Sequence, residues 1–428
     1  MKNILQLLLV YCFAFNLNAQ VVYVKSGGTG NGTSWANASG DLDNAMNLAN
    51  ANTEIWVAQG TYTPTSCSNC QASDREDYFE LKNGVEVYGG FVGNETQRGQ
   101  RNWQNNPTIL SGDIDGSGDL SNNSYSVVYS KNAGAGSIMD GFTIQDGYAD
   151  SGSGGATSLK RSGAGWHNDV SGSGNNASPT VRNCTFKNNV ANRFGAGFFN
   201  DGGFGSANPT FENCLFDNND SSEGAGLYNT SYAGNASPEL TDCVFQNNTA
   251  LYGAGIYNNA NGGISSPTLV NVILNNNTSN FYGGGMYNFV KSSNGSCSPI
   301  LVNCIISNNE GSSAGGIYSL STDSGTLGAE LINCTFYGND ANVGGAYYVN
   351  TSSSSVGIST MTNCIFWGSE AGFDKVFHFS GSGDPTVNIS YTIVDVSNCN
   401  NLTGSSGGTI NCGAGMLYNQ NPQFVNAG

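Results

Sequence analysis

The chain has 428 residues, of which 60 are glycine and only 11% are charged, against usual shares of about 7% and 25%. Hydrophobic residues at 38% and aromatics at 11% exclude a disordered chain, and this much glycine excludes a helical one, leaving an all-β reading. A net charge of −17 excludes nucleic acid as a partner, because phosphate needs clustered Lys and Arg, and is compatible with cations, neutral glycans or basic proteins.

Residues 1–19 read as a secretory signal peptide. Lys2 precedes an apolar run from Ile4 to Leu17, and Ala19 closes it before Gln20. The run is short for a bilayer, which needs about 20 apolar residues. Val10-Tyr11 makes Cys12 a poor lipidation site, and no later segment reads as membrane-spanning. The expected product is exported and monomeric, either secreted or held at a cell surface.

Residues 20–124 read as an N-terminal cap and first coils. LDNAMNLANA (42–51) is the one credible helix, with Leu42, Ala45, Met46 and Ala49 at 3/4 spacing to close the open end of a core. Cys67 and Cys70 flank Ser-Asn in a polar loop and suggest a local disulfide. GDIDGSGDL (112–120) spaces Asp113, Asp115 and Asp119 like the first half of a calcium loop. Ser124 stands where such a loop ends in Glu, so structural calcium and a plain acidic turn both remain open. No cofactor is otherwise expected.

Residues 125–395 repeat. SPTVRNCTFKNN, NPTFENCLFDNN, SPELTDCVFQNN, SPTLVNVILNNN, SPILVNCIISNN and GAELINCTFYGN align, with a weaker copy at MTNCIFWGS. Their Cys column is Cys184, Cys214, Cys243, Val272, Cys304, Cys334 and Cys364, at gaps of 30, 29, 29, 32, 30 and 30. Alternation holds from the Cys column to the Phe column but slips at the preceding Asn column. The chain must bend there, in the left-handed conformation Asn tolerates. A period near 30 with short strands describes one coil of a parallel solenoid, stacked at about 4.8 Å, with the cysteines as buried free thiols.

Between these blocks lie GAGWHN, GAGFFN, GAGLYN, GAGIYN, GGGMYN, AGGIYS and VGGAYY. If their first large residue points inward, Phe199, Tyr228, Tyr257, Tyr287, Tyr318 and Tyr347 form an outward column, with His167 as its variant. Such a column either offers rings to a ligand or stabilises itself by stacking.

The NCxFxNN and GGxxY blocks resemble the repeats of polymorphic outer-membrane proteins and related bacterial β-helix proteins. So does the opening VVYVKSGGTGNGTSWANASGDLDNAM, with IWVAQGTY and VEVYGGFVGNETQRGQRNW after it. The resemblance implies a single-stranded right-handed parallel β-helix of the pectin-lyase-like kind, at a bacterial surface or secreted. Pectate-lyase-like helices use a base beside calcium-binding carboxylates, and polygalacturonase-like ones use clustered Asp with GHG and RxK motifs. Those motifs are absent, and Lys291 is the only Lys or Arg between Arg193 and Lys375. The expected role is therefore non-catalytic and adhesin-like, binding glycan or protein along a flat repeat face. The alternative is a polysaccharide-active enzyme with its site near the first coils. In 396–428, Cys399 and Cys412 suggest a second local disulfide, and NPQFVNAG reads as the start of a further coil.

Overall fold

The computed structural model describes residues 20–424 apart from 66–73, 171, 353 and 406. The signal peptide at 1–19 and the Cys67/Cys70 pair lie outside the described residues.

One coil shows the logic of all. Thr180–Arg182 forms a strand of the first sheet, Asn183 turns the chain at φ 52°, and Thr185–Lys187 joins the second sheet. Asn188 turns it again at φ 55° into Val190–Phe194 of the third sheet, and a Gly-Ala-Gly turn leads to Phe198–Gly203 of the fourth. A loop then returns the chain to Thr210, which pairs with Thr180. Among the described residues every strand pairing is parallel, and the four sheets hold 15, 12, 8 and 10 strands. The chain is an all-β, right-handed parallel β-helix.

The left-handed corner expected at the Asn column is present, with φ of 52–56° at Asn183, Asn213, Asp242, Asn271, Asn303, Asn333 and Asn363. A second such column follows five residues later, at Asn188, Asn218, Asn247, Asn276 and Asn308, and passes to Gly338 and Gly368. All six column cysteines are buried free thiols in the main core. Their Sγ–H groups donate to carbonyls, as Cys243 does to Thr241 O at 3.3 Å, and burial pushes the Cys184 thiol up to about 12.

Two buried asparagine ladders run through this apolar interior. Asn189, Asn219, Asn248, Asn277, Asn309 and Asn339 are fully buried. The Asn219 Nδ2 donates to Phe186 O at 3.0 Å in the preceding coil and to Asn248 Oδ1 at 2.9 Å in the next. Asn168, Asn200, Asn229, Asn258 and Asn288 form the second ladder at 2.9–3.0 Å per step, ending on Ser319 Oγ.

Two details depart from the sequence reading. Tyr347 pairs with Ile317 inside the core, and Tyr348 pairs with Tyr318. Ala346 stands where Gly316 stood one coil earlier, so the Gly-Gly pair of this block lies one residue earlier while the coil keeps its 30-residue step. The helix is Leu42–Leu48, shorter than 42–51, capped by Asp41 accepting from Asn44 N, and its Leu42, Ala45 and Met46 close the core. Cys399 and Cys412 are bonded, with Cα atoms 6.3 Å apart. Among the described residues no helix is long and apolar enough to cross a membrane.

Replacing Asn248 by Ala should cost about 1–3 kcal/mol in denaturant unfolding, because it strands polar groups on both neighbouring coils. Asn247→Gly, at a left-handed surface corner (φ 56°), should be near neutral.

Candidate functional site

The outward aromatic column of the fourth sheet is not a free surface. Phe199, Tyr228, Tyr257, Tyr287 and Tyr318 are at most 4% exposed and form a second apolar cluster outside the main core. Alternation does turn these rings away from the core. Residues at the end of the third sheet, however, fold over them: Phe194 stacks on Tyr228 at 4.5 Å and Tyr282 on Tyr318 at 4.6 Å. Hydroxyls bond within the same face, as Tyr228 Oη accepting from Asn259 Nδ2 at 2.9 Å. His167 continues the column against Phe199 at 4.7 Å, its Nδ1–H donating to Ser162 O, and burial lowers its basicity. His378 extends it beyond Tyr348 at 4.5 Å and is held by Asp374 at 2.8 Å. The expected ligand column is thus a structural seam.

Asp113, Asp115 and Asp119 do not converge. Gly118 N donates to Asp113 Oδ2, Ser121 N to Asp119 Oδ1, and Ser117 N to Asp115 Oδ1, so the loop closes on itself. Hydrogen bonds from the hydroxyl and amide of Ser117 hold the Asp115 carboxyl below its usual range. Among the described residues, no three His, Cys, Asp or Glu side chains gather as a metal ion would need.

Several bases near the first coils are engaged by carboxylates, though Arg161 and Lys187 are not among them. Arg75 grips Asp150 at 2.6 Å and lies over the Tyr125 ring; Lys160 holds Glu76, Arg182 holds Glu212 and Arg193 holds Glu223. The cavity of about 580 Å³ that Arg75 lines with Asp77, Asp115 and Asn122 has its cation committed to structure.

The outer face of the second sheet is different. Its register stacks Ile109, Thr143, Thr185, Leu215, Val244, Ile273, Ile305, Thr335, Ile365, Ile393 and Leu417 in one line. At about 4.8 Å per rung the line is about 48 Å long. Ile305 is 42% and Leu417 49% exposed, and the others are half-buried. The neighbouring column carries Tyr337 and Trp367, and Phe424 comes back to meet Tyr337 at 5.1 Å. Eight of its eleven residues are aliphatic and three are threonine, so the line is mainly apolar and partly open to solvent. Its residues occupy the position between the Cys and Phe columns, which reads Thr, Leu, Val, Ile, Ile, Thr, Ile in the sequence. That composition is the signal that was there to find.

The third sheet turns Glu310, Asp340 and Glu370 outward on adjacent rungs, with Lys375 near Glu370 at 3.7 Å. Like charges so placed repel one another and any acidic ligand.

No family model matches the sequence, and no curated protein matches it. Among solved structures the chain is similar to the crystal structure of pectate lyase Pel9A, at 12% identity and a TM-score of 0.40, over 93% of this chain and 77% of that one. At that distance the match says nothing about chemistry.

Two predictions follow from the seam. Tyr257→Ala should destabilise the fold by about 3–5 kcal/mol, measured by denaturant unfolding, rather than remove a binding ring. On the next outward column, burial and the charge of Asp169 push the Asp201 carboxyl from its ordinary 3.8 up to about 6, against the Gly203 amide. Because the folded value is raised, stability is full below about pH 4 and falls as pH rises through 6. Asp201→Asn should therefore raise the melting temperature at pH 8 and leave it unchanged at pH 4.

Proposed function

We propose that this chain is a non-catalytic, exported β-helix protein of a bacterial surface, adhesin-like in role, that holds a glycan chain or an extended protein segment. The face that carries it is the outer surface of the second sheet, not the tyrosine column. The single observation behind this reading is the exposed aliphatic line with Tyr337, Trp367 and Phe424 beside it. A straight apolar track of fixed pitch suits a linear partner, because each rung offers the same contact. Resemblance to polymorphic outer-membrane proteins supports the surface setting, and the signal-like residues 1–19 support export. The carboxylates of the third sheet and the charge of −17 favour a neutral or basic partner over an acidic one. Binding is preferred to catalysis because Arg75, Lys160, Arg182 and Arg193 each already hold a carboxylate.

The test is retention on an array of immobilised glycans and extracellular proteins. Ile305→Lys combined with Trp367→Ala should lower retention about tenfold or more while circular dichroism stays unchanged; Glu310→Gln with Asp340→Asn should not. Retention unaffected by the first pair would remove the second sheet from the function.

A further inference from the structure

The corner between the first and second sheets is a single asparagine or aspartate in seven coils, but between Glu86–Phe91 and Thr108–Ser111 it is a loop of residues 92–107. That loop folds back over the corner of the next coil. A Cβ at Gly90 would lie 2.6 Å from Trp103 Cα, and one at Gly141 would lie 3.0 Å from Trp103 Cβ, so only glycines let the tryptophan sit so close. Arg101 pins the loop: its guanidinium donates to Gly89 O at 3.0 Å and pairs with Asp140 at 2.7 Å, with both side chains at most 9% exposed. Its guanidinium carbon also lies 5.1 Å from the Trp103 ring centre.

A cavity of about 350 Å³ opens beside this overhang, lined chiefly by Trp103, Thr143, Thr185, Leu215, Asn183 and Asn213. That is within the usual size of a small-ligand pocket. Its polar wall is an amide rail rooted in the ion pair. Asn183 Nδ2 donates to Asp140 Oδ1 at 2.8 Å, and Asn213 Nδ2 donates to Asn183 Oδ1 at 2.8 Å. In the next coil the column holds Asp242, a carboxylate that has no proton to donate, so the rail stops with Asn213 Oδ1 as its open acceptor. The cavity is lined by no Asp, Glu, Lys, Arg or His; Arg101 and Asp140 neutralise each other behind it.

We propose that this cavity is a subsite for a neutral sugar ring. The indole of Trp103 covers the ring's C–H face, while Asn213 and the hydroxyls of Thr143 and Thr185 meet its hydroxyls. An uncharged lining on a protein of net charge −17 disfavours uronates and other anionic sugars. Because Thr143, Thr185 and Leu215 are also the second to fourth of the eleven rungs on the second sheet, the subsite sits near one end of the track. The inference rests on the glycan-holding form of the reading above and names its ligand class.

Calorimetric titration of the full chain tests it, with hexasaccharides of glucose, mannose, xylose and N-acetylglucosamine, and with hexagalacturonate as the anionic probe. At least one neutral hexasaccharide should bind more tightly than hexagalacturonate. Trp103→Ala should weaken it about tenfold or more, Trp103→Tyr should keep most of the affinity, and Thr185→Glu should abolish it without touching the packing of the loop. Absence of neutral-sugar binding, preference for the uronate, or indifference to both Trp103→Ala and Thr185→Glu would overturn the proposal. The distal pair Ile305→Lys/Trp367→Ala separates the two readings. Sugar binding that needs Trp103 but ignores the distal pair keeps the subsite and defeats the extended track; array retention that needs only the distal pair does the reverse.

Discussion

A polar side chain placed inside an apolar solenoid has one economical partner, the same side chain one coil away. The buried asparagines of this chain obey that constraint twice over. Each amide in the ladder from Asn189 to Asn309 donates to a backbone carbonyl of the coil before and to the amide oxygen of the coil after. Sliding one coil by a residue would break its amide's bonds to both neighbouring coils at once, at a cost of about 1–3 kcal/mol for each group left unpaired. The ladders therefore set the coil-to-coil register, and length changes are admitted only where no ladder passes. Residues 92–107 and the loops before each SPT block are such places.

With the interior columns so constrained, diversity is left to the outward ones, and the four sheets use that freedom differently. The fourth sheet has turned its outward column into a second core, roofed by aromatic residues of the third. The third shows carboxylates to solvent. The second presents a mainly aliphatic line, whose second to fourth rungs border the cavity beside Trp103. Electrostatics reinforce this division: Arg75, Lys160, Arg182 and Arg193 of the early coils are each held by a local carboxylate.

Glycine has a specific part in shaping the cavity beside Trp103. At Gly90 and Gly141 the missing Cβ is what allows the loop backbone to lie against the corner, and the buried Arg101–Asp140 pair then locks it. A site made this way is rigid before any ligand arrives, which lowers the ordering cost of binding.

Local rules were readable from the residues alone. The period near 30, the left-handed corners at the Asn column, the buried Cys line and the capping helix follow from alternation, from the backbone tolerance of Asn and from helix spacing, all of which act within a few residues. Contacts between coils and between faces were not readable. Tyr228 and Tyr257 alternate outward as expected, yet Phe194 and Tyr282, from the third sheet, decide that the column they belong to is buried. Tyr347 lies inward in unbroken register with Ile317, because Ala346 fills the position of the last turn glycine and the glycines no longer mark the strand's start. Trp103 looks like any loop tryptophan until the chain returns and places Gly141 beneath it. Sequence alternation determines which way a side chain leaves the strand; only the tertiary structure decides whether solvent or another part of the protein is waiting there.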